Sequence, residues 1–241
     1  MTSKPRKSRA LYEARFIFFF LLCISIIAAA HATWVFHLPS DDNTMAFFSI
    51  GIIIPLCIIF FFFCLWFFRD PDRCVPGDLS LAVSPADGTI TIIDEVEETQ
   101  YFARRMKRIS IFLSIHNVHV SRSPIAGEVL FTEGRGGFHF TGSHQNARRP
   151  EASILNESLL WIFGKTDAPY EKAIGVKQIT GAIVRRIVPW AEVGEKMCRG
   201  ERFGMIRFGS RTDIYLPLDT EILVSVGDAV RGGSTGIARW L

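Results

Sequence analysis

The sequence predicts a mainly β protein: an N-terminal transmembrane helical hairpin followed by a β-sandwich or partly closed barrel with few helices. Three observations lead to that class. Two long stretches near the N-terminus contain no Asp, Glu, Lys or Arg. Basic residues flank them unevenly. From about Leu79 onward the chain breaks into short runs rich in Ile, Val and Phe, separated by Pro, Gly and Asp.

The apolar stretches are "FIFFFLLCISIIAAAHATWVF" (Phe16–Phe36) and "AFFSIGIIIPLCIIFFFFCLWFF" (Ala46–Phe68). A helix needs about 20 apolar residues to span a bilayer. A soluble core helix is shorter and keeps a polar face. The long charged leader and the second stretch close behind argue against a cleaved signal peptide. Pro55 is expected to kink the second helix, which neighbouring helices tolerate. Lys4, Arg6, Lys7, Arg9 and Arg15 precede the first stretch, and Arg69 and Arg73 follow the second. The connecting "HLPSDDNTM" has two aspartates and no basic residue. Positive charge stays inside, so both ends face the cytoplasm. The expected division is a basic leader (1–15), a membrane hairpin (16–68) and a cytosolic β domain (69–241).

A formal net charge of +3 over 241 residues gives no argument for nucleic acid. Cys23, Cys57, Cys64, Cys74 and Cys198 are odd in number and form no close metal-binding pair. They read as reduced thiols facing the cytosol. The β runs are "TITIIDEV", "RISIFLSI", "AGEVLF", "AIVRRIV", "FGMIRF", "TDIYLPL" and "EILVSV". Punctuation such as "SPADG", "SRSPIAG" and "VGDAVRGG" separates them. "EASILNESLLWIF" reads as a helix or as irregular chain. Arg185-Arg186 interrupts a β run, where at least one side chain should face out.

"MIRFGSRTDIYLP" (Met205–Pro217) reads as one strand with a Gly-Ser pair in its middle. Alternation puts Ile206, Phe208, Ser210, Thr212, Ile214 and Leu216 on one face. A bulge with a core-bonded serine is one explanation. "RISIFLSIHNVHVSRSP" carries two histidines. Alternation places Ile109, Ile111, Leu113, Ile115 and His119 inward and His116 outward. An inward histidine is often structural, but imidazole also moves protons near neutral pH. Asp87-Gly88 in "SPADGT" is ordinary turn chemistry by itself. His139 and His144 lie in a glycine-rich stretch that reads as a surface loop. A second Gly-Ser pair, Gly233-Ser234, reads as a flexible turn. A cut before Ser210 would leave 32 residues held by sheet pairing, whereas a cut before Ser234 would leave eight with little to anchor them.

Taken in order, "FFRDPDRCVPGDLSLAVSPADGTI", "ISIFLSIHNVHVSRSPIAGEV", "NARRPEASILNES", "QITGAIVRRIV" and "GERFGMIRFGSRTDIYLPLDTEILVSVGDAVRGG" resemble the phosphatidylserine decarboxylase proenzymes, in particular the short bacterial form. The resemblance runs from about residue 67 to the C-terminus. It implies self-cleavage at Gly209-Ser210, with a large chain (1–209) and a small chain (210–241). Ser210 would be consumed to make a covalent pyruvoyl group, so no separate cofactor and no metal are expected. The pyruvoyl ketone would form a Schiff base with phosphatidylserine and act as an electron sink for loss of carbon dioxide. His119 is the candidate proton donor, and Asp87 matches the family aspartate that helps activate the serine. Arg122 and Arg211 are the candidate substrate-binding side chains.

The sequence departs from the longer bacterial members at Arg122, where a second histidine stands in them. His119 then serves both steps, or self-cleavage relies more on strain and Asp87. "NES" at 156–158 also departs from the more usual Asn-Glu-Arg, so no role is assigned there. The resemblance places the enzyme at the bacterial inner membrane, facing the cytoplasm. A homo-oligomer is compatible with the sequence. Two other readings stand beside it: an inactive membrane-tethered lipid- or protein-binding β domain, and a pyruvoyl enzyme acting on another amino acid derivative.

Overall fold

Uniformly apolar sequence near the N-terminus forms helices, and the Ile/Val/Phe runs form strands. The computed structural model describes residues 10–37, 51–52, 54–134, 146–148, 156–164, 172–181, 186–207 and 210–239. The chain separates into a helical unit, Ser8–Asp70, and a β unit that runs from Pro71 to Leu241.

In the helical unit a 22-residue helix covers Arg15–Phe36 and a 14-residue helix covers Ile54–Phe67. They touch through Phe18 and Phe61, whose ring centroids lie 5.3 Å apart. The first helix is long and apolar enough to cross a membrane over Ile17–Trp34. The second is shorter among the described residues than the expected span. Pro55 is the second residue of this described segment.

The β unit contains β1 (Leu81–Val83), β2 (Gly88–Glu98), β3 (Arg104–Leu113), β4 (Val120–Arg122), β5 (Gly127–Gly134), β6 (Ser158–Gly164) and β7 (Ile174–Ile179). Then come β8 (Arg186–Pro189), β9 (Lys196–Met197), β10 (Arg202–Arg207), β11 (Ser210–Leu216), β12 (Glu221–Ile222), β13 (Ala229–Val230) and β14 (Gly236–Arg239). Eight strands form a curled half-barrel sheet in the order β13-β2-β3-β11-β7-β6-β5-β9. Two three-stranded sheets, β1-β14-β12 and β4-β10-β8, complete the unit. The pairs are antiparallel, as the hairpin punctuation implies.

Three expectations are corrected. "MIRFGSRTDIYLP" is two strands in two sheets: β10 ends at Arg207 and β11 begins at Ser210. The histidine-bearing run also breaks, because β3 stops at Leu113 and a turn follows. Alternation therefore fails beyond it, and Ile115 is exposed instead of buried. "SLLWIFG" is a buried strand, not helix or irregular chain. A short apolar run fits either form, and here pairing with β5 and β7 decides it.

One main core lies on one face of the large sheet and includes Ile109, Ile111, Trp161, Val176, Phe203, Ile206 and Ile214. A second cluster, around Phe102, Met106, Leu160, Ile162 and Tyr215, covers part of the other face. A buried polar chain crosses the main core. Trp161 Nε1 donates to Gln178 Oε1 (2.8 Å), and Gln178 Nε2 donates to Ser121 Oγ (2.9 Å). This ties β6 and β7 of the large sheet to β4 of the small one. Gln178→Leu leaves two buried groups without their partner, each costing about 1–3 kcal/mol. Urea unfolding should show a loss of about 3 kcal/mol in the variant.

Candidate active site

Ser210 opens β11, the strand paired along its length with β3 on one side and, from Arg211 to Tyr215, with β7 on the other. All seven residues of β11 are buried. Ser210 sits opposite Leu113, and its hydroxyl is buried with no hydrogen-bond partner among the described residues. A buried hydroxyl without a partner costs stability and calls for a reason. Gly209 lies outside the described residues, as do His139, His144 and Arg185. Arg186 is exposed, as expected of one member of that pair.

Arg211 points to the opposite face of the sheet from Ser210. Its Nε and Nη2 donate to the two oxygens of Asp213 at 2.6 and 2.8 Å, and neither side chain is exposed to solvent. Tyr215, two residues further on, shares that face. Burial, reinforced by the charge of Asp213, pushes its phenol well above the ordinary tyrosine range. Lys177 pairs with Asp213 across the strands, and burial pulls its ammonium down.

His119 is fully buried, while His116 is exposed, so the expected inward and outward placement holds despite the strand break. The break is built by Asn117. Its Oδ1 accepts from the Ser114 N–H (2.8 Å) and hydroxyl (2.7 Å), closing a turn just after Leu113. Asn117 O then lies 2.9 Å from His119 Nδ1. A carbonyl only accepts, so Nδ1 carries the hydrogen and Nε2 is the basic nitrogen of the neutral ring. The His119 carbonyl accepts from the Ile206 N–H at 3.1 Å. The histidine is thus tied to β10 near its end, while its own turn starts beside the partner of Ser210.

Asp87 closes the turn before β2. Gly88 follows because a Cβ there would come 2.4 Å from the Phe112 carbonyl. In register, Thr89 lies beside Phe112 and Phe112 beside Arg211. Neighbouring strands are about 4.8 Å apart, so the start of β2 and the start of β11 lie about 10 Å apart across β3. Asp87 Oδ2 accepts from Arg73 Nη2 at 2.7 Å, and Oδ1 accepts from the Gly232 N–H at 2.7 Å. Among the described residues no hydrogen bond joins Asp87 to His119. Three of the expected residues, Ser210, His119 and Asp87, therefore gather at one end of the large sheet, but Asp87 is held by other groups.

Arg122 is also near this end and is buried. Its backbone N–H donates to Pro85 O (2.8 Å), Nη1 to Gly200 O (3.1 Å) and Nη2 to Pro71 O (2.9 Å). Gly233 has a φ of 76°, which favours glycine, and a Cβ there would lie 2.9 Å from Arg122 Cδ. The second Gly-Ser pair is therefore a packed turn against Arg122. Arg73, Gly232 and Asn117 were not legible as site residues. Arg73 reads as a membrane-flanking charge, and nothing in a 14-residue separation marks it as the partner of Asp87. Among the described residues, no group of three or more His, Cys, Asp or Glu could hold a metal ion.

A buried serine at the head of a doubly paired strand, with a histidine and an ion-paired aspartate nearby, marks a mainly β protein with a polar site built into its central strand. Residues 60–238 match the family model described as phosphatidylserine decarboxylase. The chain is 43% identical over 177 residues to the phosphatidylserine decarboxylase proenzyme of Symbiobacterium thermophilum, covering 73% of this chain and 79% of that one. It is 42% identical to the protein of that name from Nitrosomonas europaea over 179 residues, 74% of this chain and 78% of the relative. With the protein of that name from Phocaeicola vulgatus it shares 40% identity over 204 residues, 82% and 86% of the two chains. No solved structure matches the chain significantly. The chain belongs to the phosphatidylserine decarboxylase family.

Two outcomes follow from the charged face of β11. Arg211→Met strands the buried Asp213 carboxylate and should cost about 3–5 kcal/mol in chemical denaturation. Tyr215 has a folded-state pKa above its unfolded one, so the stability held by its neutral form is present below about pH 10 and is lost as pH rises beyond it. Tyr215→Phe should therefore lose less stability than wild type between neutral pH and pH 11 in parallel melts.

Proposed function

We propose that this chain decarboxylates phosphatidylserine to phosphatidylethanolamine after cleaving itself between Gly209 and Ser210. The observation that carries the reading is the unpartnered, buried hydroxyl of Ser210 at the head of β11, in a chain of this family. In self-cleavage the Ser210 hydroxyl attacks the Gly209 carbonyl, and the peptide nitrogen leaves it as the ester forms. Elimination releases a chain ending at Gly209 and leaves dehydroalanine at 210. Hydrolytic loss of ammonia then gives the pyruvoyl end. That group supplies an electrophilic carbonyl that takes the substrate amine and accepts the electron pair left by carbon dioxide.

The residues around position 210 support this use. Ser210 is paired with Leu113 of β3, and β11 is paired on both sides from Arg211 onward, so a new chain end at 210 stays fixed. The C-terminal piece is also tied through β13 to β2 and through β14 to β1. His119, with Nδ1–H committed to Asn117 O, offers Nε2 to hold and return a proton. Asp87 is the acidic group at the same end of the sheet and assists the serine. The bonds of Arg122 to Gly200 and Pro71, and of Arg211 to Asp213, favour a framework role for both over contact with the headgroup.

The apolar helices serve as a membrane hairpin in this reading, with the β domain (69–241) on the cytoplasmic face. Tethering raises the effective concentration of the domain at the leaflet that holds its lipid substrate. The basic flanks favour an anionic surface.

Purified wild-type protein should run as two chains, the smaller of 32 residues, and Ser210→Ala should run as one chain without activity. Borohydride added with phosphatidylserine should attach the lipid to residue 210, read by mass spectrometry. An uncut, fully active wild type would overturn the proposal. His119→Ala that still divides should turn over about 100-fold more slowly; normal turnover would remove it as proton donor.

A further inference from the structure

Asp87 is the acidic member of the proposed self-cleavage site, yet its two hydrogen bonds come from outside the set of residues that the family resemblance supplies. One comes from Arg73, on the segment that leaves the helical unit, and the other from the Gly232 N–H, beyond the proposed cut. We infer that Arg73 is a positioning residue for self-cleavage, holding Asp87 in the orientation in which it assists Ser210. The inference rests on the self-cleavage reading above.

The geometry around Arg73 is built. Three consecutive residues at the start of the β unit are each tied to later parts of that unit. The Pro71 carbonyl accepts from Arg122 Nη2 at 2.9 Å. Asp72 accepts from Arg202 Nη2 at 2.8 Å, and that bond lowers its pKa. Arg73 reaches Asp87 at 2.7 Å, and both side chains are 12% exposed. The Asp72 side chain, by contrast, is 98% exposed. A pair whose carboxylate stays in water fixes that carboxylate little, whereas a pair buried on both sides controls where its carboxylate points. On the other oxygen the Gly232 peptide comes close because no side chain intervenes: a Cβ there would lie 3.2 Å from the Ala86 carbonyl carbon. With one donor on each oxygen, the carboxylate cannot rotate without losing a bond. Arg122, whose guanidinium donates to the Gly200 and Pro71 carbonyls, makes no hydrogen bond to Asp87 among the described residues. The orientation of Asp87 is therefore left to Arg73 and Gly232.

The test is a double-mutant cycle on the full chain, reading the first-order rate at which fresh proenzyme becomes two chains. Arg73→Gln should slow conversion about tenfold or more, as should Asp87→Asn. If Arg73 acts through Asp87, the double variant is no slower than Asp87→Asn alone, within about twofold. Arg73→Lys, which keeps the charge, should convert at a rate between wild type and Arg73→Gln, and it carries the same cycle should Arg73→Gln not fold. Asp72→Asn removes the neighbouring pair, whose carboxylate is exposed, and should convert at the wild-type rate. A merely structural Arg73 would lower the melting temperature and multiply the defect of Asp87→Asn. Multiplying effects, or an Arg73→Gln that converts normally, overturn the inference while leaving self-cleavage intact. A wild-type chain that never divides overturns self-cleavage itself, and this inference with it.

Discussion

The site depends on the two-sided pairing of β11. A strand at a sheet edge leaves half its backbone groups to water. β11 has β3 on one side and β7 on the other, and it is buried on both faces. Its faces do different work. Ser210, Thr212, Ile214 and Leu216 lie toward the main core, where Ile214 and Leu216 pack. Arg211, Asp213 and Tyr215 lie on the other side, where an arginine fork closes on a carboxylate. The charged face helps set the register of a strand with Ser210 at its very start, since a one-residue slip would exchange the faces.

That arrangement draws distant segments to one end of the sheet. β3 ends at the partner of Ser210, and the Asn117 turn delivers His119 immediately afterward. β2 starts one strand further away and brings Asp87. The stretch from Pro71 to Arg73 and the turn at Gly232 then close on Asp87 and Arg122 from opposite ends of the chain. The C-terminal 32 residues contribute four strands, three of them paired with strands earlier than residue 210. Such a segment is held by the fold through its strand pairing.

Much of this was legible beforehand. The β class follows from short β-branched runs between Pro, Gly and Asp, a pattern that acts locally. The inward His119 and outward His116 were also anticipated, although by an alternation that stops before either of them. Asn117 makes the turn with its side chain, and no strand period reveals that. "SLLWIFG" was misread because a short apolar run carries no period that separates strand from helix. The partner of Asp87 was invisible because an arginine near a membrane segment has an adequate explanation there.

By itself, then, the sequence determined the kinds of element, the family, and the residue types able to do chemistry. Those depend on side-chain pattern and on short-range backbone preference. Tertiary structure alone decided that β10 and β11 part into different sheets and that Arg73 meets Asp87. These are choices among partners far apart along the chain. They are settled by which strands pair and which charges can be buried together, and local sequence carries neither.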